Sequence, residues 1–381
     1  MSSVLGLESM HKETQAIHAT NLVDETAGAI ATPIFLTTTF TRDVDGSYPK
    51  GHMYSRNSNP NRDALEKGLA ALEGGAEAFA FASGLAAVSA VLQCLSSGDH
   101  VLMPAVGYYA SVKLAEEIMG PWGLQMTQVD MEDLLAVEAA ILPNTKLIWI
   151  ETPANPLLSL TDISAICDLA HARGIRVAVD NTIATPILQN PILLGADIVM
   201  HATTKYIGGH SDILGGAIIV RESDAWSARL KRVQILMGAT QNPLDCYLLA
   251  RGLKTLPLRM REHSASALEL ASRLEKHPAI EQVHYPGLAS HPQHALALRQ
   301  MPRGFSGMIS IQIKGDEANA RLVAGRLRLF QQATSLGGVE SLVEHRRSIE
   351  GPESTTPGNL LRISVGLEHV DDLWADFEQA L

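Results

Sequence analysis

Four short stretches of this chain hold residue types suited to chemistry more than to packing. In Ala202-Thr203-Thr204-Lys205-Tyr206-Ile207-Gly208-Gly209, a lysine follows the apolar run Ile198-Val199-Met200 and precedes two glycines. That order places Lys205 just beyond a strand's carboxyl end, where glycine lets backbone and ligand approach closely. An amine held there can form a Schiff base with an aldehyde, and desolvation lowers its pKa toward that of a useful base. A solvated loop lysine is the plain alternative. Upstream, Arg176-Val177-Ala178-Val179-Asp180-Asn181-Thr182 ends a second strand in a carboxylate. In a parallel sheet Asp180 falls on the same rim as Lys205. It could there pair with a protonated pyridine nitrogen and keep such a ring able to accept electrons. A helix N-cap or a metal carboxylate would use the same residue.

The third stretch, Phe79-Ala80-Phe81-Ala82-Ser83-Gly84-Leu85, reads as a strand running into the apolar helix Ala86 to Leu95. Ser83 and Gly84 then sit where free backbone N–H groups and the helix dipole meet an anion such as phosphate. The stretch matches neither a Walker loop nor GxGxxG. In the fourth, Leu361, Ile363, Val365 and Leu367 face one way, and Arg362, Ser364 and Gly366 the other. Arg362 therefore points to water or to a cleft, where its guanidinium suits a bidentate grip on a carboxylate.

These residues need a frame. Arg62 to Leu72 has helical spacing and stops at Gly74-Gly75. Apolar, β-branched runs recur at His100 to Met103, Lys146 to Ile150, Arg176 to Val179, Asp197 to Met200 and Gly216 to Val220. Between two of them lies a predicted helix, Thr161 to Arg173, with Thr161 as N-cap and Gly174 as stop. Strands apolar throughout and separated by helices indicate a mainly parallel sheet covered on both faces. After about residue 245 a long helix, Asp245 to Lys276, leads to strands at Met308 to Ile313 and Leu361 to Leu367. The fold expected is α/β, with three parts: an arm at 1–55, a large domain at 56–245, and a smaller α+β domain at 246–381. The arm is too poor in core positions to fold alone and should lie across another domain or subunit.

A net charge of −11 argues against an electrostatic grip on nucleic acid or anionic lipid. Cys94, Cys167 and Cys246 are far apart and form no CxxC pair, and the fourteen histidines show no ligand spacing, so no metal is expected. The polar N-terminus and the interrupted apolar stretch Ala78 to Leu95 fit a soluble cytoplasmic protein.

Together and in this order, the stretches resemble the Cys/Met-metabolism family of pyridoxal 5'-phosphate (PLP) enzymes, which are of fold type I. The family includes cystathionine γ-synthase, cystathionine γ-lyase, cystathionine β-lyase, methionine γ-lyase and the O-acetylhomoserine sulfhydrylases. The resemblance covers nearly the whole chain. It includes Tyr54-Ser55-Arg56, Ala82-Ser83-Gly84, Glu151-Thr152-Pro153 with Asn155-Pro156, Thr204-Lys205-Tyr206, Ser335-Leu336-Gly337-Gly338 and Arg362 with Ser364-Val365-Gly366. It implies that Lys205 carries PLP as a Schiff base and shuttles protons, while Asp180 holds the ring nitrogen. Ser83, Gly84, Leu85 and Thr204 would cradle the phosphate, joined by Tyr54 and Arg56 from a neighbouring subunit, with Thr182 also in the cofactor set. Tyr108 would stack on the ring and act as acid–base at the leaving group. Asn155, Ser335 and Arg362 would position the substrate and its α-carboxylate. A dimer would then be the active unit, paired into a tetramer.

The activity implied is γ-elimination or γ-replacement on a sulfur-containing or O-activated homoserine-type amino acid. A β-lyase, or a PLP-binding regulator with little turnover, is the alternative. A nicotinamide dehydrogenase lacks its glycine fingerprint here. Some positions depart from the family pattern. Ala202 stands where a phosphate-binding serine is usual, with Thr203 as a possible substitute. Ala110 replaces the cysteine characteristic of methionine γ-lyases, and Thr334 replaces a glutamate. The 344–357 loop begins Glu344-His345-Arg346-Arg347. Either arginine is a candidate for the substrate entrance, although a solvated loop is the commoner fate of such residues.

Overall fold

The computed structural model describes residues 9–381 apart from 23, 25, 352 and 353. The start of the predicted arm and Pro352-Glu353 of the 344–357 loop thus lie outside the described residues.

Seven strands form the first sheet: β1 (Glu77–Phe81), β2 (His100–Pro104), β3 (Gln125–Val129), β4 (Thr145–Glu151), β5 (Arg176–Asp180), β6 (Ile198–His201) and β7 (Gly216–Val220). Their spatial order is β1-β7-β6-β5-β4-β2-β3. Only β7 runs against the rest, pairing antiparallel with both β1 and β6. The carboxyl ends of six strands therefore share one rim with the amino end of β7.

Alternate strand residues bury on opposite faces. Phe79, Trp149 and Met200 pack with the helix Gly84–Leu92. Ile148, Val177 and Val179 pack with the helix Ile163–His171. This double burial is why the strand runs are apolar throughout.

The second sheet comprises β8 (Ile280–His284), β9 (Met308–Ile313), β10 (Gln331–Gln332), β11 (Leu342–His345) and β12 (Leu360–Ser364), in the order β10-β11-β12-β9-β8. β12 ends three residues earlier than the alternation predicts. Beyond Ser364 the backbone bonds elsewhere, Val365 N–H to Gly307 and Leu367 N–H to Val339.

The long helix spans Pro243–Leu274 and is capped by Asn242, whose side chain accepts from Asp245 N–H. Its first half packs Leu249, Leu253 and Leu256 into the core under the large sheet. Its last turns pack Ala267, Leu270 and Leu274 into the core of the small one. The helix predicted from Thr161 begins instead at Ile163, because Asp162 supplies the cap by accepting from Ala165 N–H at 3.2 Å. Thr161 is buried, and its backbone donates to Thr152. In the arm, the helix Lys12–His18 lies against the long helix. Ile30, Leu36 and Val44 beyond it are exposed.

Candidate active site

The shared rim explains how distant residues meet. Ser83 follows β1, Tyr108 follows β2, Glu151 ends β4, Asp180 ends β5, and Lys205 follows β6. The small sheet closes the space with Ser335 and Arg362. The result is one cavity of about 580 Å³ lined by all of these residues. A crevice outside strand carboxyl ends is the usual ligand position in such a sheet.

Lys205 is half-buried in the cavity wall rather than solvated, and its Nζ donates to Ser335 Oγ at 2.9 Å. Burial, and then the nearby Arg362 cation, bring its pKa down to about 8. Ser335 takes a left-handed backbone (φ 88°) that lets its hydroxyl meet Lys205 while its carbonyl accepts from Arg362. Asp180 is buried. Its Oδ1 accepts from Thr182 N–H at 3.0 Å and from Thr182 Oγ1 at 2.5 Å, and Thr182 Oγ1 in turn accepts from Ala202 N–H. Asp180 caps no helix, since the next one starts at Thr185. Burial raises its pKa, and a cation placed against it would reverse that shift.

At the anion end, Ser83 caps the helix Gly84–Leu92 by accepting from Ala86 N–H at 3.1 Å. The first N–H groups of that helix have no intrahelical acceptor and stand at the cavity wall. The backbone is tight here. A Cβ on Gly216 would lie 2.3 Å from the Ser83 carbonyl oxygen, and one on Gly84 would lie 3.1 Å from Ala202 Cβ. Thr204 lines the cavity, but its hydroxyl already exchanges hydrogen bonds with the Gly215 backbone. Thr203 does not substitute for the missing serine. Its side chain is fully buried and it is not among the lining residues, whereas Ala202 is.

At the opposite wall, Arg362 is 4% exposed, so the solvent-facing alternative fails. Its Nη1 donates to Asn155 Oδ1 at 3.1 Å, and its Nη2 to the Ser335 carbonyl at 2.8 Å. Nη2 also pairs with Glu344 Oε2 at 2.6 Å, while Nε is buried with no protein acceptor. Burial lowers its pKa to about 10. Arg346 also lines the cavity and is buried, while Arg347 is exposed. The solvated-loop expectation is thus overturned for Arg346 alone.

Two functional carboxylates escaped the sequence reading. Glu151 Oε2 accepts from Tyr108 N–H at 2.6 Å, and its Oε1 from Asn155 N–H at 2.9 Å. One side chain thereby fixes the loops carrying Tyr108 and Asn155. Burial, and then the Asp180 carboxylate paired with it in register, push Glu151 up to about 8. Glu344 is the second, bridging Arg346 and Arg362. Glu151 was visible only as part of a motif, because its partners come from other strands and loops. Tyr54 and Arg56 are not brought to this cavity. Tyr54 is exposed, and Arg56 Nη1 donates to the Ile235 carbonyl at 2.9 Å.

The donor set fits PLP. An anion cradle too tight for a Cβ, a buried acid and a half-buried amine of lowered pKa face one space, with the Arg362 guanidinium in the opposite wall. Comparison with known proteins agrees. The family model described as Cys/Met metabolism PLP-dependent enzyme matches residues 13–381. The chain is 47% identical over 374 residues to a cystathionine gamma-synthase of Mycobacterium tuberculosis, covering 97% of this chain and 96% of that one. It is 43% identical over 380 residues to a cystathionine beta-lyase of Coxiella burnetii, covering 97% and 98%. The crystal structure of metB from Corynebacterium glutamicum superposes with a TM-score of 0.95 at 42% identity, covering 98% of each chain.

Proposed function

The chain belongs to the Cys/Met metabolism PLP-dependent enzymes, and from that premise we propose γ-replacement or γ-elimination on a homoserine-type or sulfur-linked amino acid. The observation that carries the proposal is the convergence of Lys205, Asp180 and Arg362 on one cavity at the carboxyl rim. When bound, PLP supplies an aldehyde for the amine and a ring that accepts electrons. Lys205, near pKa 8 and held by Ser335, is the base that moves the Cα proton. Asp180, oriented by Thr182, balances the charge of the ring nitrogen. Arg362, in the cavity wall, grips the α-carboxylate, with Asn155 and Ser335 fixing the guanidinium plane. Tyr108, which burial keeps protonated to higher pH than a free phenol, donates its proton to the departing group.

Tyr54 and Arg56 complete the anion cradle of a second copy in this reading, so the active unit is a dimer, paired into a tetramer. Their position outside their own cavity supports it. The division into arm, large domain and small domain at 55/56 and 245/246 belongs to the same proposal, with the long helix crossing the second boundary. So does a cytoplasmic location; among the described residues no helix is long and apolar enough to cross a membrane.

The test is to incubate the yellow protein with O-acyl-L-homoserine plus L-cysteine, and separately with L-cystathionine. Cystathionine formation or 2-oxobutyrate is the expected product. Pyruvate as the sole oxo acid would move the assignment to β-elimination, and no product from either mixture would refute both.

A further inference from the structure

Behind the row of cavity-facing residues lies a second row. Glu151, Asp180 and Met200 pair in register at the carboxyl ends of β4, β5 and β6, and all three line the cavity. The next residue of each segment, Thr152, Asn181 or His201, is fully buried outside the cavity wall, as alternation along a strand requires. Glu73 and Gln189 tie this second row together. Glu73 ends the helix Pro60–Glu73 and is itself fully buried. Its Oε1 accepts from His201 Nε2 at 2.6 Å and from Asn181 Nδ2 at 2.8 Å. Its Oε2 accepts from Asn190 Nδ2 at 3.3 Å. Gln189 Nε2 donates to Asn181 Oδ1 and to the Thr152 carbonyl, both at 3.0 Å.

Both faces of the rim are thereby closed. On the cavity side, Ala202 N–H donates to Thr182 Oγ1, which donates to Asp180 Oδ1. On the far side, Asn181 and His201, the chain neighbours of Asp180 and Ala202, meet on Glu73. Asp180 is thus held in a ring of contacts that runs through the sheet and back, and neither half of the ring needs a ligand. A carboxylate and an imidazole buried this deeply contribute little net stability, because desolvation offsets their attraction. What they supply is direction, since one oxygen orders two strand tips. Burial raises the Asp180 pKa; the Thr182 bonds oppose that rise, then His201, then Lys205. His201 therefore acts on the acid from behind, ahead of the lysine that the cofactor occupies.

We propose that Glu73 and His201 are positioning residues for Asp180, forming a buried clasp on the far face of the large sheet that sets the acid toward the PLP ring nitrogen before the cofactor arrives. Neither side chain reaches the cavity, so both act through Asn181 and the tips of β5 and β6. The proposal rests on the role given to Asp180 above and deepens it, from which residue meets the ring to what holds that residue ready.

The experiment is a double-mutant cycle on the full chain, read as PLP affinity by equilibrium dialysis. Asp180→Asn alone should weaken binding about 10-fold, the scale of one hydrogen bond to a charged group. Unchanged affinity there would sink the role of Asp180, and the clasp with it. His201→Phe keeps a ring but donates nothing to Glu73. It should weaken binding about 5-fold or more in the parent, and less than about twofold in the Asp180→Asn background, because the loss passes through the acid. Equal losses in both backgrounds, or no loss in the parent, would make the pair a structural feature only and overturn the proposal. Removing one member of a buried pair also costs stability, so a second measurement uses the unmodified chain. The Asn181 N–H, which donates to the Met200 carbonyl at 2.9 Å, and the Ala202 N–H are followed by hydrogen exchange. Removing PLP should change their exchange rates by less than about threefold, because the clasp closes without the cofactor. Protection that collapses when PLP leaves would show that the cofactor orders the strand tips, and the clasp would be refuted.

Discussion

Replacing Glu151 by glutamine keeps the size of the side chain and tests whether one carboxylate holds two working parts in place. Both its oxygens accept backbone N–H groups, from Tyr108 at 2.6 Å and from Asn155 at 2.9 Å. An amide offers one acceptor and one NH2, so in either orientation a buried backbone donor confronts another donor. Leaving a buried donor unsatisfied costs about 1–3 kcal/mol. The loop after β2 carries Tyr108, which is over a third exposed, so that loop should shift before the core does. If the cost falls on the reacting arrangement, kcat/KM drops about 5- to 140-fold, at about 1.4 kcal/mol per tenfold. Global stability should change little, since the side chain keeps its size and burial already pushes the Glu151 carboxyl up to about 8, toward its neutral form. A steady-state assay with the preferred substrate, run beside thermal melting, reads both quantities. Activity within twofold of the parent, or a large fall in Tm with no selective loss of activity, would refute the argument.

Lys205 should capture PLP through its neutral form. In cofactor-free protein the capture rate should therefore rise with pH through a midpoint near 8 and level off above it, because burial lowers the amine pKa to about 8. A midpoint above 10, seen by stopped-flow absorbance, contradicts the burial. Ala202→Ser restores a hydroxyl at the cradle and should tighten cofactor binding about 3- to 10-fold, the worth of one hydrogen bond, measured by equilibrium dialysis. Gly216→Ala forces a Cβ to within 2.3 Å of the Ser83 carbonyl oxygen. It should lower stability by about 1–3 kcal/mol and weaken PLP retention; an unchanged melting curve would show the cradle to be looser than described.

Local signals in the sequence located the frame well, because strands buried on both faces need unbroken apolar runs. Gly216–Val220 has the same limits in the sequence reading and in the structure. β3, Gln125–Val129, was missed because it pairs only with β2 and carries exposed glutamines at both outer positions of its polar pattern. Capping shows the limit of local inference: Thr161 and Asp162 are both good N-caps, and only tertiary packing, which buries Thr161, selects the aspartate. The site follows the same division. Lys205, Asp180 and Arg362 each announce themselves by what surrounds them in sequence. Glu151 meets Asp180 only through the lateral order of strands, and Glu344 acquires its role only when β11 lies beside β12.

The helix Pro243–Leu274 is 32 residues long, about 48 Å at 1.5 Å per residue. Because it backs both sheets, neither lobe owns it. A nick or truncation anywhere along it would strip one lobe of its supporting surface, so fragments ending there should precipitate rather than persist as half-enzymes.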